Sequence, residues 1–127
     1  MPYTNYSKFI KQGLDESFSH IVKAQNARVD MEKEKVGSPK YYLNAAKMQN
    51  LLRHHNIDLA KFHESNGSND KASEHYNLAH DLHKSATENL ANFHFGKAKE
   101  LADVDTPAAV NHQIKGEFEM EYLKRLK

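Results

Sequence analysis

From residue 39 to residue 101 the chain carries apolar or small side chains at spacings of three and four, broken once by the run SNGSND at 65–70. That period belongs to the α-helix and not to the two-residue alternation of a half-buried strand. Tyr41, Ala45, Met48, Leu52, His55, Leu59 and Phe62 form one stripe, and Ala72, Tyr76, Ala79, His83, Ala86, Leu90 and Phe93 form the next. Two long amphipathic helices follow.

Two further clusters punctuate the chain, VGSP at 36–39 and DVDTP at 103–107. In each, a hydroxyl residue, Ser38 or Thr106, stands where it can cap a helix whose first turn starts with Pro39 or Pro107, a position at which the missing N–H costs nothing. Gly37 and Gly67 suit the left-handed stop of the helix before each break. The spacing predicts four helices, over 4–36, 39–65, 69–101 and 107–125. In the first, Tyr3, Ile10, Leu14, Phe18 and Ile21 lie on one side, with Val22 and Val29 at its edge. The fourth is the least regular, because Val110, Ile114 and Phe118 drift around it and Gly116 sits inside it. Its end, EFEMEYLKRLK, either docks in the bundle or presents Phe118, Met120, Tyr122 and Leu123 to a partner. Gly96 is an expected point at which the third helix bends or ends early.

Helices of roughly 27–33 residues span about 40–50 Å, and short connections between them make neighbours antiparallel. The expected fold is all-α, one domain over residues 1–127: an elongated antiparallel bundle of three long helices plus a shorter C-terminal helix.

LAKFH at 59–63 and LANFH at 90–94 repeat each other 31 residues apart. The first copy lies just before the turn at Gly67 and the second some 25 residues beyond it, so antiparallel packing holds them ~37 Å apart. They cannot build one site. Leu and Phe at spacing three on the buried stripe make the repeat a shared way of packing.

Nine histidines are a second marked feature. Folding the chain back about Gly67 sets His55 beside His80 and His83, folding about Gly37 sets His20 level with His54, and the turn near 104 brings His94 and His112 to similar height. Such a layer is a candidate site for a divalent transition metal, with His55, His80 and His83 as ligands. Against it, no histidine has a glutamate three residues before it, as the di-iron bundles require, and His-Glu-x-x-His is absent. Histidines that bond within the bundle, at its rim or at a partner interface are the preferred reading, with no cofactor.

Lys and Arg total 18 against 17 Asp and Glu, a net charge of +1 that draws neither nucleic acid nor anionic membrane. KRLK at 124–127 is a short basic tail suited to helix C-terminal carbonyls. The absence of Cys removes disulfides and thiolate chemistry. No apolar run approaches the ~20 residues of a membrane span, and the start, MPYTNYSKFIKQG, lacks a secretory pattern, so the expected location is cytoplasmic. Phosphate-binding glycine loops and the nucleophile elbow are missing, and the serines fall in caps or on helix surfaces, so catalysis is not expected.

Protein binding remains. The stripes are rich in Ala and His where a self-contained core favours Leu and Ile, and six tyrosines offer rings with a polar end that suit half-buried contacts. The expectation is a non-enzymatic interaction module, an inhibitor, adaptor or chaperone of a partner such as an effector or enzyme, and itself a homodimer. Its expected contact residues are Tyr6, Phe9, Tyr42, Phe95, Phe118 and Tyr122. Phe9 lies at about 140° from Leu14 and Phe95 at about 100° from its own stripe, so each ring needs a second contact, with the fourth helix or another chain.

Overall fold

The structure, a computed structural model, describes residues 18–126. The described chain opens within a helix, α1 (residues 18–32), followed by α2 (Pro39–Ser65), α3 (Asn69–Leu101) and α4 (Thr106–Arg125). The protein is all-α. α2 and α3 run the full predicted lengths. α1 stops short of the expected boundary at 36, and α3 continues straight through Gly96.

Local chemistry sets the ends. Ser38 Oγ accepts from the Tyr41 N–H at 3.3 Å, with Pro39 in the first turn of α2. Gly37 (φ 88°) and Gly67 (φ 76°) take the left-handed backbone that reverses the chain at the first two turns. The cap of α4 differs from expectation: the Asp105 carboxylate, one residue earlier than Thr106, accepts from the Ala108 N–H at 3.1 Å. Thr106 is instead the first helical residue, and its hydroxyl donates to the Ala102 carbonyl. A carboxylate is a strong acceptor and complements the positive helix N-terminus, which explains the choice.

Polar bridges fix the α2–α3 register. Gln49 donates to Ser85 at 3.0 Å and accepts from Asn89 at 2.7 Å, and one turn pair further along Asn56 Oδ1 meets His75 Nδ1 at 2.9 Å. The pairs show antiparallel helices folded about the Gly67 turn. α3 then packs against α4 on another side, and α4 does not touch α2. α1 lies along α2, where the rings of His20 and His54 stand 5.7 Å apart and His20 Nε2 is 3.7 Å from the Asp58 carboxylate.

Among the described residues every buried hydrophobic side chain is an alanine, eleven in all. Ala72, Ala79 and Ala86 recur every seven residues on α3, and Ala91 and Ala98 repeat that step on the side of His94. Helices that meet through alanine approach to the short end of the usual 8–10 Å interaxial range. Large side chains such as Leu52, Leu59, Phe62, Leu90 and Phe93 are then half-buried and flank the seam.

Two glycines serve the same closeness. A Cβ on Gly96 would stand 2.9 Å from the Pro39 ring, so the start of α2 rests directly on α3. A Cβ on Gly116 would stand 2.6 Å from the Phe95 ring, which lies flat on the α4 backbone there. The second contact that Phe95 needs is therefore the fourth helix, and the glycine inside α4 has its reason.

Candidate interaction surface

α1 departs from the expected orientation at Phe18, while Ile21 on the same expected side is half-buried. Its buried residues are Ala24 and Ala27, with Ile21, Met31 and His20 half-buried, whereas Phe18, Val22 and Val29 are 62, 60 and 50% exposed. At 100° per residue the last three share one stripe roughly opposite the alanines. Phe18, read from sequence as part of the buried side, thus faces out. The physical reason is that α1 meets α2 through small side chains and a histidine, which permit close contact, and this choice turns the branched residues away.

α4 repeats the arrangement. Ala109 and Gly116 are buried against α3, with His112, Met120 and Leu123 beside them. Val110, Ile114, Phe118 and Tyr122 follow one another at steps of four on the other side, 52, 46, 71 and 46% exposed. What reads in the sequence as apolar residues drifting around the helix is two faces, one packed on α3 through Ala109, His112, Gly116, Met120 and Leu123 and one exposed row of large apolar side chains. Shallow hollows lie along the outer face between Ile114, Glu117, Phe118, Glu121, Tyr122 and Arg125.

The expected contact residues divide accordingly. Phe118 stands furthest out, and Tyr122 shares its stripe while its hydroxyl bonds His83 Nε2 at 3.0 Å. Phe95 is half-buried on Gly116, an internal contact. Tyr42 is half-buried and edge-on to Tyr41, with ring centroids 5.8 Å apart. Tyr6 and Phe9 lie outside the described residues. Val110 and Ile114, and the outer residues of α1, are the members that the sequence reading did not choose. The signal for them is the small-residue face on the opposite side of each helix.

A groove of about 760 Å³ runs between α1 and α2. Its walls combine Leu43, Leu51 and Leu90 with Asn26, Asn50 and Lys47, so it offers apolar contact with amide groups around it.

Six of the histidines form three pairs, one at each junction of consecutive helices. His20 meets His54 between α1 and α2, His63 stacks on His75 between α2 and α3 at 5.4 Å, and His94 meets His112 between α3 and α4. The repeat explains two of them. In each copy the Phe is packed on the following His, Phe62 on His63 and Phe93 on His94, and that His reaches the next helix. The two copies do one packing job at two junctions.

His94 Nδ1 and His112 Nδ1 are 3.0 Å apart, so one N–H donates to the other ring's lone pair and the two rings cannot both be protonated while the pair holds. Burial, then His112 and Lys115, push the His94 imidazole below the ordinary histidine value. Burial, then Arg53 and His80, do the same to His83. The Nδ1 of His83 is buried without a hydrogen-bond partner, which also favours the neutral ring.

His55 and His80 are half-buried on their helices, and His83 turns toward Tyr122 on α4. Among the described residues no group of three or more His, Cys, Asp or Glu is placed to hold a metal ion. No described helix is long and apolar enough to cross a membrane. No protein family, curated protein or solved structure matches the chain.

Proposed function

We propose that the protein is a non-enzymatic interaction module of the cytoplasm, needing no cofactor, that inhibits, adapts or escorts a partner protein. The observation that carries the reading is the outward stripe of large apolar residues on each of α1 and α4, with Phe118 71% exposed on a helix whose other face is already packed. A soluble domain gains nothing in its own stability from holding four such residues in one exposed row, so a contact with another chain supplies the reason for them. Helices with an apolar row commonly bind by laying that row against a groove or another helix.

The test is affinity capture from the native host with the wild-type chain, with Val22→Glu/Val29→Glu and with Ile114→Glu/Phe118→Glu. The expected result is a partner held by the wild type and lost from one of the two variants, with unchanged helical circular dichroism in all three. An identical set of captured proteins from all three chains would remove the proposal.

A further inference from the structure

The outer face of α4 has a charge pattern that selects what covers it. The turn into the helix carries Asp103 and Asp105, the last turn carries Lys124 and Arg125, and all four are exposed. Between these ends lie Val110, Ile114 and Phe118. The turn before the helix is thus acidic and its last turn basic, with Lys115, Glu117 and Glu121 beside the apolar row, so its two ends are complementary when one copy is reversed on another.

We infer that α4 pairs with α4 of a second copy of this chain, antiparallel about a two-fold axis beside Ile114. This rests on the reading of the outer face as a contact surface and names one occupant for it. In that register Ile114 meets Ile114 of the partner subunit, Val110 meets Phe118 of the partner subunit, and the Arg125 end comes to the turn that carries Asp103 and Asp105 of the partner subunit. Glu117 lies opposite Asn111 of the partner subunit and Glu121 opposite Pro107 of the partner subunit, so no like charges face each other. A parallel arrangement sets Asp103 on Asp103 and Arg125 on Arg125. Antiparallel pairing also places the helix dipoles head to tail. A helix of 20 residues gives a contact about 30 Å long, and the two-fold closes it at a dimer. The seating of α4 on α3 through Ala109 and Gly116 holds its outer face at a fixed angle for the mate.

The chain has no cysteine, so a single introduced thiol reports on one position. Ile114→Cys is expected to give a disulfide-linked dimer on mild oxidation, and Val22→Cys on α1 to give none. In sedimentation equilibrium the wild type is expected to dimerise, Phe118→Glu to raise the dissociation constant at least tenfold, and Arg125→Asp to raise it about threefold to tenfold, with Asp103→Arg in the same chain as Arg125→Asp restoring it. A wild-type chain that stays monomeric at ~100 µM, cross-linking at Val22→Cys instead of Ile114→Cys, or no recovery in the double charge reversal would each overturn the pairing. A monomer that still loses a captured partner on Phe118→Glu overturns self-pairing and leaves the partner reading standing. A dimer that captures nothing does the reverse.

Discussion

α2 and α3 gather their large apolar side chains around an alanine seam, whereas α1 and α4 turn theirs away from it. Both arrangements obey one rule: the helices meet where side chains are smallest. In α2 and α3 the large residues adjoin the small ones, so Leu52, Leu59 and Phe93 end half-buried at the margins of the contact. In α1 and α4 the large and small residues occupy opposite sides, so closing the small face exposes Val22, Val29 and Phe118. The most buried positions of the outer helices are thus their small ones, because helix contact distance, not side-chain hydrophobicity alone, decides which face goes in.

The sharpest way to break this comparison is to enlarge the seam. Ala60 is 0% exposed, and Ala60→Leu is expected to cost about 2–3 kcal/mol, lowering the thermal midpoint by about 10 °C, because the added methylenes force the helices apart. A midpoint within a degree or two of wild type would show that α2 and α3 are not in close contact there.

Gly116→Ala probes the α3–α4 contact at smaller scale. Alanine gains about 1 kcal/mol of helix propensity over glycine, but its Cβ would meet the Phe95 ring at 2.6 Å. The expected net is a loss of about 1 kcal/mol in urea unfolding, and a gain would mean the ring moves freely.

Acid tests the same junction through its histidines. With the His83 and His94 pKa values below the ordinary 6.5, the unfolded chain takes up protons first as pH falls. Stability is therefore complete above about pH 6.5 and declines as the solution is acidified below it. Urea midpoints between pH 7.5 and 5.5 should show that decline, and His94→Asn should reduce it; a midpoint that rises toward pH 5.5 would contradict the neutral pair.

The smallest effect belongs to the outer face. Val29→Ser is expected to change stability by no more than about 0.5 kcal/mol, although it removes a branched apolar side chain. Together with Ala60→Leu it would make adding methylenes inside costlier than removing them outside.

The histidine pairs show how far numbering alone reaches. Folding the chain about its turns set His20 by His54 and His94 by His112, and both pairs form. The same construction put His55, His80 and His83 at one height; it fixes height along the bundle but not the direction of a side chain around each helix, and His83 turns to Tyr122. Stacking of His63 on His75 and the polar bridges of Gln49 depend on that direction too, and no spacing announced them.

The sequence by itself determined the helices, their order, their antiparallel register and most of their ends, since turn residues, caps and a period of 3.6 are local properties of the chain. Only the tertiary structure decided which face of α1 and α4 is buried. Each of these helices carries two plausible faces, and the choice between a small, close-packing face and a large apolar one is made by the surface of the neighbouring helix, which no local pattern contains.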